Sequence, residues 1–407
     1  MNTFTKERIE TDGRRALELT ELKQQIRSLV TLESNDAPVI SCYLNLEPGA
    51  GESGTAGYWD VFRERRALLR KTIADEWKTS FEEALQRIET HLDTRPRAES
   101  NGIAIFARGG SQPFFVSLQF QVPLQNWVVV GPIPNVYPLV ELKDTYHRFV
   151  LLLLTEKRAR ILQVNLGAVT GEAWAAQPEL RDRLSSGWSK THYQRHREQE
   201  TDRFIAEEIL VLDRLMSSGG NTHLVLAGEP AMTARMRRAL PKHLASKLVD
   251  TLHASAHDAM PDIVAATNTL FVEHEEGESL AKVSLLEQEI QSHGLAVTGT
   301  KASLRALKWG EADILVMAKA YAPDSGWSCP ECGMIAAHSK KPVACPECAG
   351  LQLQPIDLKE EMVRLAERKG VEVEIVNNSD HLMEMGGVGC LLRYQRRTAS
   401  RVKHSSE

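Results

Sequence analysis

The sequence predicts an α+β segment followed by two α/β segments, the last of them interrupted by a small cysteine-rich insertion. Three observations carry that expectation. The chain has 407 residues, 42% of them hydrophobic and 25% charged, which suits two or three soluble domains, each large enough to bury its own core. Strand-like and helix-like apolar patterns alternate along most of it. Four of its six cysteines lie between Cys329 and Cys348, in a stretch with few apolar residues.

The first segment, 1–145, opens with a helix marked by Leu17, Leu22, Ile26 and Leu29, then a strand at 39–46. Pro48-Gly49-Ala50-Gly51-Glu52-Ser53-Gly54 is a loop, because glycine and proline punctuate it. From Trp59 to Leu92, apolar residues recur at Phe62, Leu69, Ile73, Trp77, Phe81, Leu85 and Ile88. That spacing predicts one long amphipathic helix, lying on a sheet or paired as a coiled coil. Strand signals follow at 102–107, 114–121 and 127–130, and Pro132, Pro134 and Pro138 form a hinge.

The second segment, 146–272, begins with two buried strands, 149–154 and 160–166, joined by the charged turn Thr155-Glu156-Lys157-Arg158. A polar stretch at 178–196 precedes a helix at 197–216 with Phe204, Ile205, Ile209, Leu212 and Leu215 on one face. Ser217-Ser218-Gly219-Gly220-Asn221 ends that helix, and 222–228 is the next strand. Strand, strand, helix, strand is the order of an α/β domain. The acidic run Glu273-His274-Glu275-Glu276-Gly277-Glu278 is a solvated helix edge or a boundary, and the third segment, 273–407, is placed at it. There 301–309 is helical, Gly310 suits the position after a helix, and 313–317 is a strand. After the cysteines, 357–369, 371–376 and 390–394 resume the fold.

Formal charge narrows the function classes: 49 Lys+Arg against 54 Asp+Glu leaves −5. This excludes a uniformly basic nucleic-acid coat but leaves room for local basic patches. The longest apolar run, 149–154, is far too short to span a bilayer. The opening Met-Asn-Thr-Phe-Thr-Lys-Glu-Arg-Ile-Glu lacks the apolar core of a signal peptide. A cytoplasmic chain with no membrane partner is expected.

Cys329-Pro-Glu-Cys332, twelve residues, then Cys345-Pro-Glu-Cys348 is a repeated pair at ribbon spacing. Two residues between ligands let a tight knuckle turn both thiolates toward one cation, and two knuckles supply the tetrahedral sulfur set that zinc favours. Four thiols leave no position for water, so Zn2+ at this site, spanning 327–350, is expected to be structural and to drive the folding of the insertion. Two disulfides or a redox pair are the alternatives. Cys42 and Cys390 sit in apolar runs and read as core thiols.

The C-terminal stretch from Val373 to Asp380, followed by Gly386-Gly387-Val388-Gly389-Cys390-Leu391-Leu392-Arg393-Tyr394, reads as strand, polar loop, glycine turn and final strand. Taken alone, it says that the backbone turns tightly or that something approaches it closely. A phosphate cradle would need a helix after the glycines, and none is expected there. This ending resembles the terminus of the archaeal and eukaryotic class-I release factors and of Pelota. The resemblance extends upstream: 302–315 is similar to the helix and strand of that family's third domain, the four-cysteine insertion resembles its archaeal version, and 204–208 with 224–228 resemble its middle domain. It covers 146–394, the first domain matching only in outline. It implies a three-domain release-factor/Pelota-like architecture with a zinc-ribbon insertion in the third domain.

The departures from the family pattern decide the expected function. Its release factors carry a Gly-Gly-Gln loop that enters the peptidyl transferase centre; here the corresponding place reads Ser186-Gly187-Trp188-Ser189-Lys190-Thr191-His192-Tyr193-Gln194-Arg195-His196, and Gly-Gly-Gln occurs nowhere in the chain. An Asn-Ile-Lys-Ser stop-codon motif is absent too. The chain thus resembles a bacterial branch of the family, and within it a ribosome hibernation factor delivered with elongation factor Tu. That resemblance implies a non-catalytic translation factor in the ribosomal A site, with the ribosomal RNA of both subunits as partner, an elongation factor Tu-type GTPase as a second partner, and no DNA.

Between 187 and 197 lie three fixed positive charges (Lys190, Arg195, Arg197), His192 and His196, Trp188 and Tyr193, and no acid. Cations hold phosphates while aromatic rings stack on unpaired bases, so Trp188, Lys190, His192, Tyr193, Gln194, Arg195, His196 and Arg197 are candidate RNA contacts on a tip loop; a plain solvated loop is the alternative. Two further acid-free basic stretches are Arg235, Arg237, Arg238, Lys242 and Lys247, and Arg393, Arg396, Arg397, Arg401 and Lys403, either of which reads equally as a solvated face. If the resemblance holds, Gly386, Gly387, Gly389 and Arg393, with the ribbon, are candidate contacts for the GTPase. The competing readings are a peptidyl-tRNA hydrolase acting in ribosome rescue or peptide-chain release, with Gln194 orienting water, and a zinc-ribbon adaptor that works away from the ribosome.

Overall fold

The structure is a computed structural model that describes residues 17–47, 57–94, 100–156, 158–176, 190–218, 220–255, 258–324, 326–338 and 340–394. In chain order its elements are α1 (Leu19–Val30), β1 (Val39–Asn45), α2 (Gly57–Thr72), α3 (Lys78–Asp93), β2 (Gly102–Arg108), β3 (Phe114–Phe120), β4 (Trp127–Gly131), α4 (Tyr137–Thr145), β5 (Phe149–Leu154), β6 (Arg158–Asn165), β7 (Ala168–Ala176), α5 (Lys190–Ser218), β8 (His223–Gly228) and α6 (Pro230–Ala239). They continue as α7 (Lys242–Ala245), β9 (Leu248–His253), α8 (Met260–Gln291), β10 (Ala296–Thr298), α9 (Thr300–Trp309), β11 (Ala312–Ala318), β12 (Gly326–Ser328), β13 (Ile335–Ala337), β14 (Gln354–Ile356), α10 (Leu358–Lys369), β15 (Glu372–Val376), α11 (Asp380–Glu384) and β16 (Val388–Leu392). Contacts sort them into two compact units, one of Met1–Leu22, Ala37–Val130 and Tyr146–His274, the other of Lys23–Asp36, Gly131–Thr145 and Glu275–Glu407.

The first unit holds two sheets. One has the order β3-β2-β1-β4, with β1, β2 and β3 antiparallel. Phe62 of α2 and Phe81, Leu85 and Ile88 of α3 pack on Ile40, Cys42 and Leu44 of β1 and Ile103 and Ile105 of β2. The single helix expected over 59–92 is two helices: Ala74 is extended (φ −62°, ψ 144°) and Asp75–Trp77 forms a 3-10 turn. The arms fold back on each other. Arg70 Nε and Nη2 meet the Glu82 carboxylate at 2.7 and 2.6 Å, and Arg66 reaches Glu89, residues that one straight helix would hold about 34 Å apart. Burial explains the break. A helix of that length runs about 50 Å, twice the roughly 24 Å of a seven-residue strand, and half its apolar stripe would overhang the sheet.

The other sheet has the order β7-β6-β5-β8-β9. Strands β5, β8 and β9 are parallel, while β6 and β7 extend the sheet antiparallel. Its central strands are apolar on both sides because both faces are covered. Phe204, Ile205, Leu212 and Met216 of α5 and Met232 and Met236 of α6 lie on one face, and Ile263 and Phe271 of α8 on the other. Strand β7 escapes the periodicity argument. Ala-Val-Thr-Gly-Glu-Ala-Trp-Ala-Ala shows no apolar alternation and is held as an edge strand by its ladder to β6 across a two-residue turn, Leu166 (φ 49°) and Gly167 (φ 73°).

The second unit is built on a sheet of order β10-β16-β11-β15, with β11 and β15 parallel and β16 antiparallel to both β10 and β11. Asp357 caps α10, its side chain accepting from the N–H of Lys359 and Glu360, and Gly310 (φ 72°) ends α9 as expected. Two early parts of the chain join this unit through α10. Arg364 donates to the carbonyls of Val30 and Leu32 at 3.2 and 3.1 Å, closing the end of α1. The buried Glu360 carboxylate accepts from the N–H of Val136 at 2.7 Å and of Tyr137 at 2.9 Å, at the start of α4. The proline-rich hinge therefore contains a helix, with Lys143 paired to Glu367 and Asp144 Oδ2 accepting from the Ile375 N–H at 2.7 Å. The acidic run at 273–278 lies within α8. Among the described residues no helix is long and apolar enough to cross a membrane.

Between β11 and α10 a separate small sheet of order β13-β12-β14 interrupts the fold. Every pairing in it is antiparallel, and its core is Cys329, Met334, Cys345 and Leu353 flanked by Trp327 and Ala336.

Candidate functional site

Among the described residues, four cysteines provide the one candidate metal-donor set made only of sulfur. Strand β12 delivers Cys329, and two knuckles of the same construction follow. Gly333 N–H donates to the Cys329 carbonyl and Ala349 N–H to the Cys345 carbonyl, both at 2.9 Å. In each knuckle the residue after the second cysteine has positive φ, Gly333 at 67° and Ala349 at 60°. That turn brings the second thiol back beside the first. Between knuckles, Cys329 Sγ lies 3.5 Å from Cys348 Sγ and Cys332 Sγ 3.5 Å from Cys345 Sγ. All four sulfurs lie within 4.8 Å of one another.

Those distances set the disulfide alternative aside. All four thiols are free, and a sulfur pair at 3.5 Å is not the roughly 2.05 Å of a disulfide. A tetrahedron of sulfurs about 2.3 Å from one ion has edges of about 3.8 Å, so the set fits a metal ion shared by both knuckles. Cys329 and Cys345 are buried, at 2% and 3% exposure, and Cys332 and Cys348 are exposed. Burial works against the Cys345 thiolate, but N–H groups of Cys348 and Glu347 outweigh it and lower the thiol to about 7. A thiolate is the form a metal takes. Apart from these sulfurs the insertion buries two large apolar side chains, Met334 and Leu353, too few to hold it by burial.

The second expected site lies at the start of α5. Helix begins at Lys190, seven residues before the start the sequence suggests, so the expected loop at 187–197 is helical from 190 onward. Lys190–Arg197 contains no glycine or proline and is rich in helix-tolerant Lys, Gln and Arg. It carries no apolar stripe, which is why the periodicity argument misses it. Lys190, His192, Tyr193, Gln194, Arg195, His196 and Arg197 thus occupy the first two turns of one 29-residue helix; Arg195 is exposed, and Trp188 lies outside the described residues. Near these turns, Arg235 of α6 reaches Asp202 at 2.9 Å and the Glu198 carbonyl at 3.0 Å.

The glycine turn has a packing account. Gly386 (φ 104°) and Gly387 (φ 72°) adopt backbone angles that favour glycine. A Cβ on Gly387 would stand 2.7 Å from the Tyr321 ring, and one on Gly389 2.6 Å from Leu286 and 2.9 Å from the Val297 carbonyl. The turn joins α11 to β16 and lets β16 pass between β10 and β11. Gly387 and Gly389 are buried and Gly386 is exposed. Exposed Arg393 donates to Asp313 Oδ1 at 2.8 Å and to the Gly370 carbonyl at 3.4 Å. The basic tail from 396 onward lies outside the described residues.

One cluster has no signal in local sequence. His147 stacks on His223 with ring centroids 6.2 Å apart, and His274 stands edge-on to His223 at 6.0 Å. Their separations along the chain match no motif spacing, and only the sheet and α8 bring them together.

Residues 134–270 match the model of the bacterial archaeo-eukaryotic release factor family 10. Peptide chain release factor subunit 1 of Pyrococcus abyssi is 24% identical over 430 residues, covering 93% of this chain and 98% of that protein. The same factor from Thermococcus onnurineus is 24% identical over 436 residues, covering 94% and 99%. Among solved structures, Archaeoglobus fulgidus Pelota aligns with 97% of this chain and 99% of its own at 11% identity and a TM-score of 0.35. An archaeal translation termination factor aligns with 94% of this chain and 100% of its own at 14% identity and a TM-score of 0.27.

Proposed function

We propose, on the premise that this chain is a homologue of the archaeal class-I release factors and carries the bacterial release-factor family 10 pattern over 134–270, that it is a ribosome hibernation factor. It binds the A site of idle ribosomes, reaches toward the peptidyl transferase centre with the 187–197 segment, and keeps them inactive without hydrolysing peptidyl-tRNA. The observation that carries this reading is a substitution of chemistry in an otherwise collinear chain: no Gly-Gly-Gln occurs in its sequence, and the corresponding place holds cations and aromatics.

Catalysis at that place has a physical obstacle. Gln194 falls on the helical backbone of α5, whereas a Gly-Gly pair gives its glutamine conformational freedom that His192 and Tyr193 do not supply. The same reading places zinc on Cys329, Cys332, Cys345 and Cys348 as a structural ion. It assigns an elongation factor Tu-type GTPase to the last segment, where Gly386, Arg393 and the ribbon offer exposed surface. The three-domain division at 145 and 272 and a cytoplasmic location belong to it too.

Two assays decide it. The full chain pellets with vacant ribosomes at low salt and releases no labelled peptide from stalled complexes. Failure to pellet refutes ribosome binding, and peptide release abolished by Gln194→Ala establishes the hydrolase in its place.

A further inference from the structure

The chain is acidic overall, yet residues 230–249 hold Arg235, Arg237, Arg238, Lys242 and Lys247 and no acid. The structure shows which of these charges are committed. Arg235 pairs with Asp202 of α5, and His243 of α7 meets Asp213 of α5 at 2.6 Å. Arg237, Arg238 and Lys242 are exposed, and none has an acidic partner among the described residues. The acids bounding the segment, Glu229 and Asp250, make no ion pair with them there.

Geometry orders these charges. Arg235 and His243 anchor α6 and α7 alongside α5 at Asp202 and Asp213. Eleven residues of helix separate those anchors, a run of about 17 Å, and the Arg235 bond to the Glu198 carbonyl lies only about 12 Å along α5 from Lys190. The ridge therefore runs beside α5, starting near the helix end that carries the Lys190–Arg197 cluster.

Composition says what kind of partner fits. The apolar side chains of the ridge, Met232, Met236, Leu240 and Leu244, are all buried, and no large hydrophobic side chain is exposed between 230 and 247 among the described residues. A protein interface needs aromatic or aliphatic anchors at its centre, and this surface has none. A polyanion needs only cations, because neutralising its phosphates releases condensed counterions.

We infer that the α6–α7 ridge is a second RNA-contacting surface, in which Arg237, Arg238 and Lys242 hold the phosphate backbone of ribosomal RNA beyond the reach of the α5 tip. This rests on the ribosome-binding reading above and names a partner surface within it. The contact assigned here is to phosphates, which carry no sequence information.

The test compares the full chain with the variant Arg237→Gln, Arg238→Gln, Lys242→Gln, using fluorescein-labelled structured RNA of scrambled sequence and, separately, vacant ribosomes. Three lost phosphate contacts reduce the slope of log affinity against log salt by about 2 to 3. Between about 50 and 200 mM salt, wild-type binding therefore weakens roughly 15- to 60-fold more than binding by the variant. The charge-conserving variant Arg237→Lys, Arg238→Lys keeps the wild-type slope, and unchanged thermal melts separate lost contact from lost folding. An unchanged slope and affinity in the glutamine variant overturn the inference. So does a variant that keeps RNA binding and loses only a partner protein, which would make the ridge an acidic-protein dock. A wild-type chain that binds labelled RNA but never pellets with ribosomes sinks the hibernation reading, while the slope difference on RNA still reports on the ridge.

Discussion

Glu360 is the side chain whose loss should most clearly separate the parts of the second unit. Its carboxylate is 6% exposed and accepts from two backbone N–H groups at the start of α4. Glu360→Ala leaves both donors buried and unpaired, at about 1 to 3 kcal/mol each, so the variant should lose roughly 2 to 6 kcal/mol. The pH dependence has a definite sign. Burial outweighs the two N–H bonds and raises this carboxyl from 4.5 to about 8. The folded state therefore prefers the neutral acid: the contribution is complete below about pH 4.5 and is lost as pH rises through 8. The slope is about 1.4 kcal/mol per pH unit at most, with a ceiling near 5 kcal/mol over the interval. Hydrogen exchange read on peptides covering 136–145 and 358–369 measures it. Exchange at 136–145 should accelerate from pH 5 to pH 8 beyond the intrinsic chemical rate. In Glu360→Ala it should be fast throughout, with a penalty that shrinks at high pH. Glu360→Gln, which never ionises, should flatten the profile at a cost of about 1 to 2 kcal/mol. Wild-type stability that rises across this range, or an alanine variant with native protection, would refute the reasoning.

The other predictions concern the sites. The purified chain should hold one metal ion per molecule, measured by elemental analysis as zinc rather than iron, and a strong chelator should release protection in 326–356 while the strands of the larger sheets stay protected. Gly389→Ala forces a Cβ into Leu286 and the Val297 carbonyl, and calorimetry should show a loss of about 1 to 3 kcal/mol. Replacing Lys190, Arg195 and Arg197 together with glutamine should lower the salt slope of ribosome binding by about 2 to 3, with no change in melting temperature.

Much of this architecture is legible along the chain, and the reason is local. Strands β1, β5, β8 and β11 are apolar runs that no other element explains, Gly310 ends its helix through its own backbone preference, and the Cys-x2-Cys pairs hold both ligands within one turn. The glycine ending and the missing Gly-Gly-Gln are likewise read directly, because they are contiguous. Even the resemblance to class-I release factors rests on short stretches kept in order.

What local pattern could not supply is anything set by fit between distant parts. The amphipathic stripe at 59–92 is continuous, yet it breaks at Ala74 because the sheet beneath it is half its length. Strand β7 and the first turns of α5 carry no apolar rhythm; the first exists through hydrogen bonds to β6, and the second continues a helix anchored further along. The acceptance of Lys23–Asp36 and Gly131–Thr145 into the last unit draws on Arg364 and Glu360, two polar residues on α10 whose partners are backbone groups more than 220 residues away. Backbone donors and acceptors are the same at every position. Which of them a polar side chain will satisfy is therefore written in three-dimensional proximity, and residue identity alone does not reveal it.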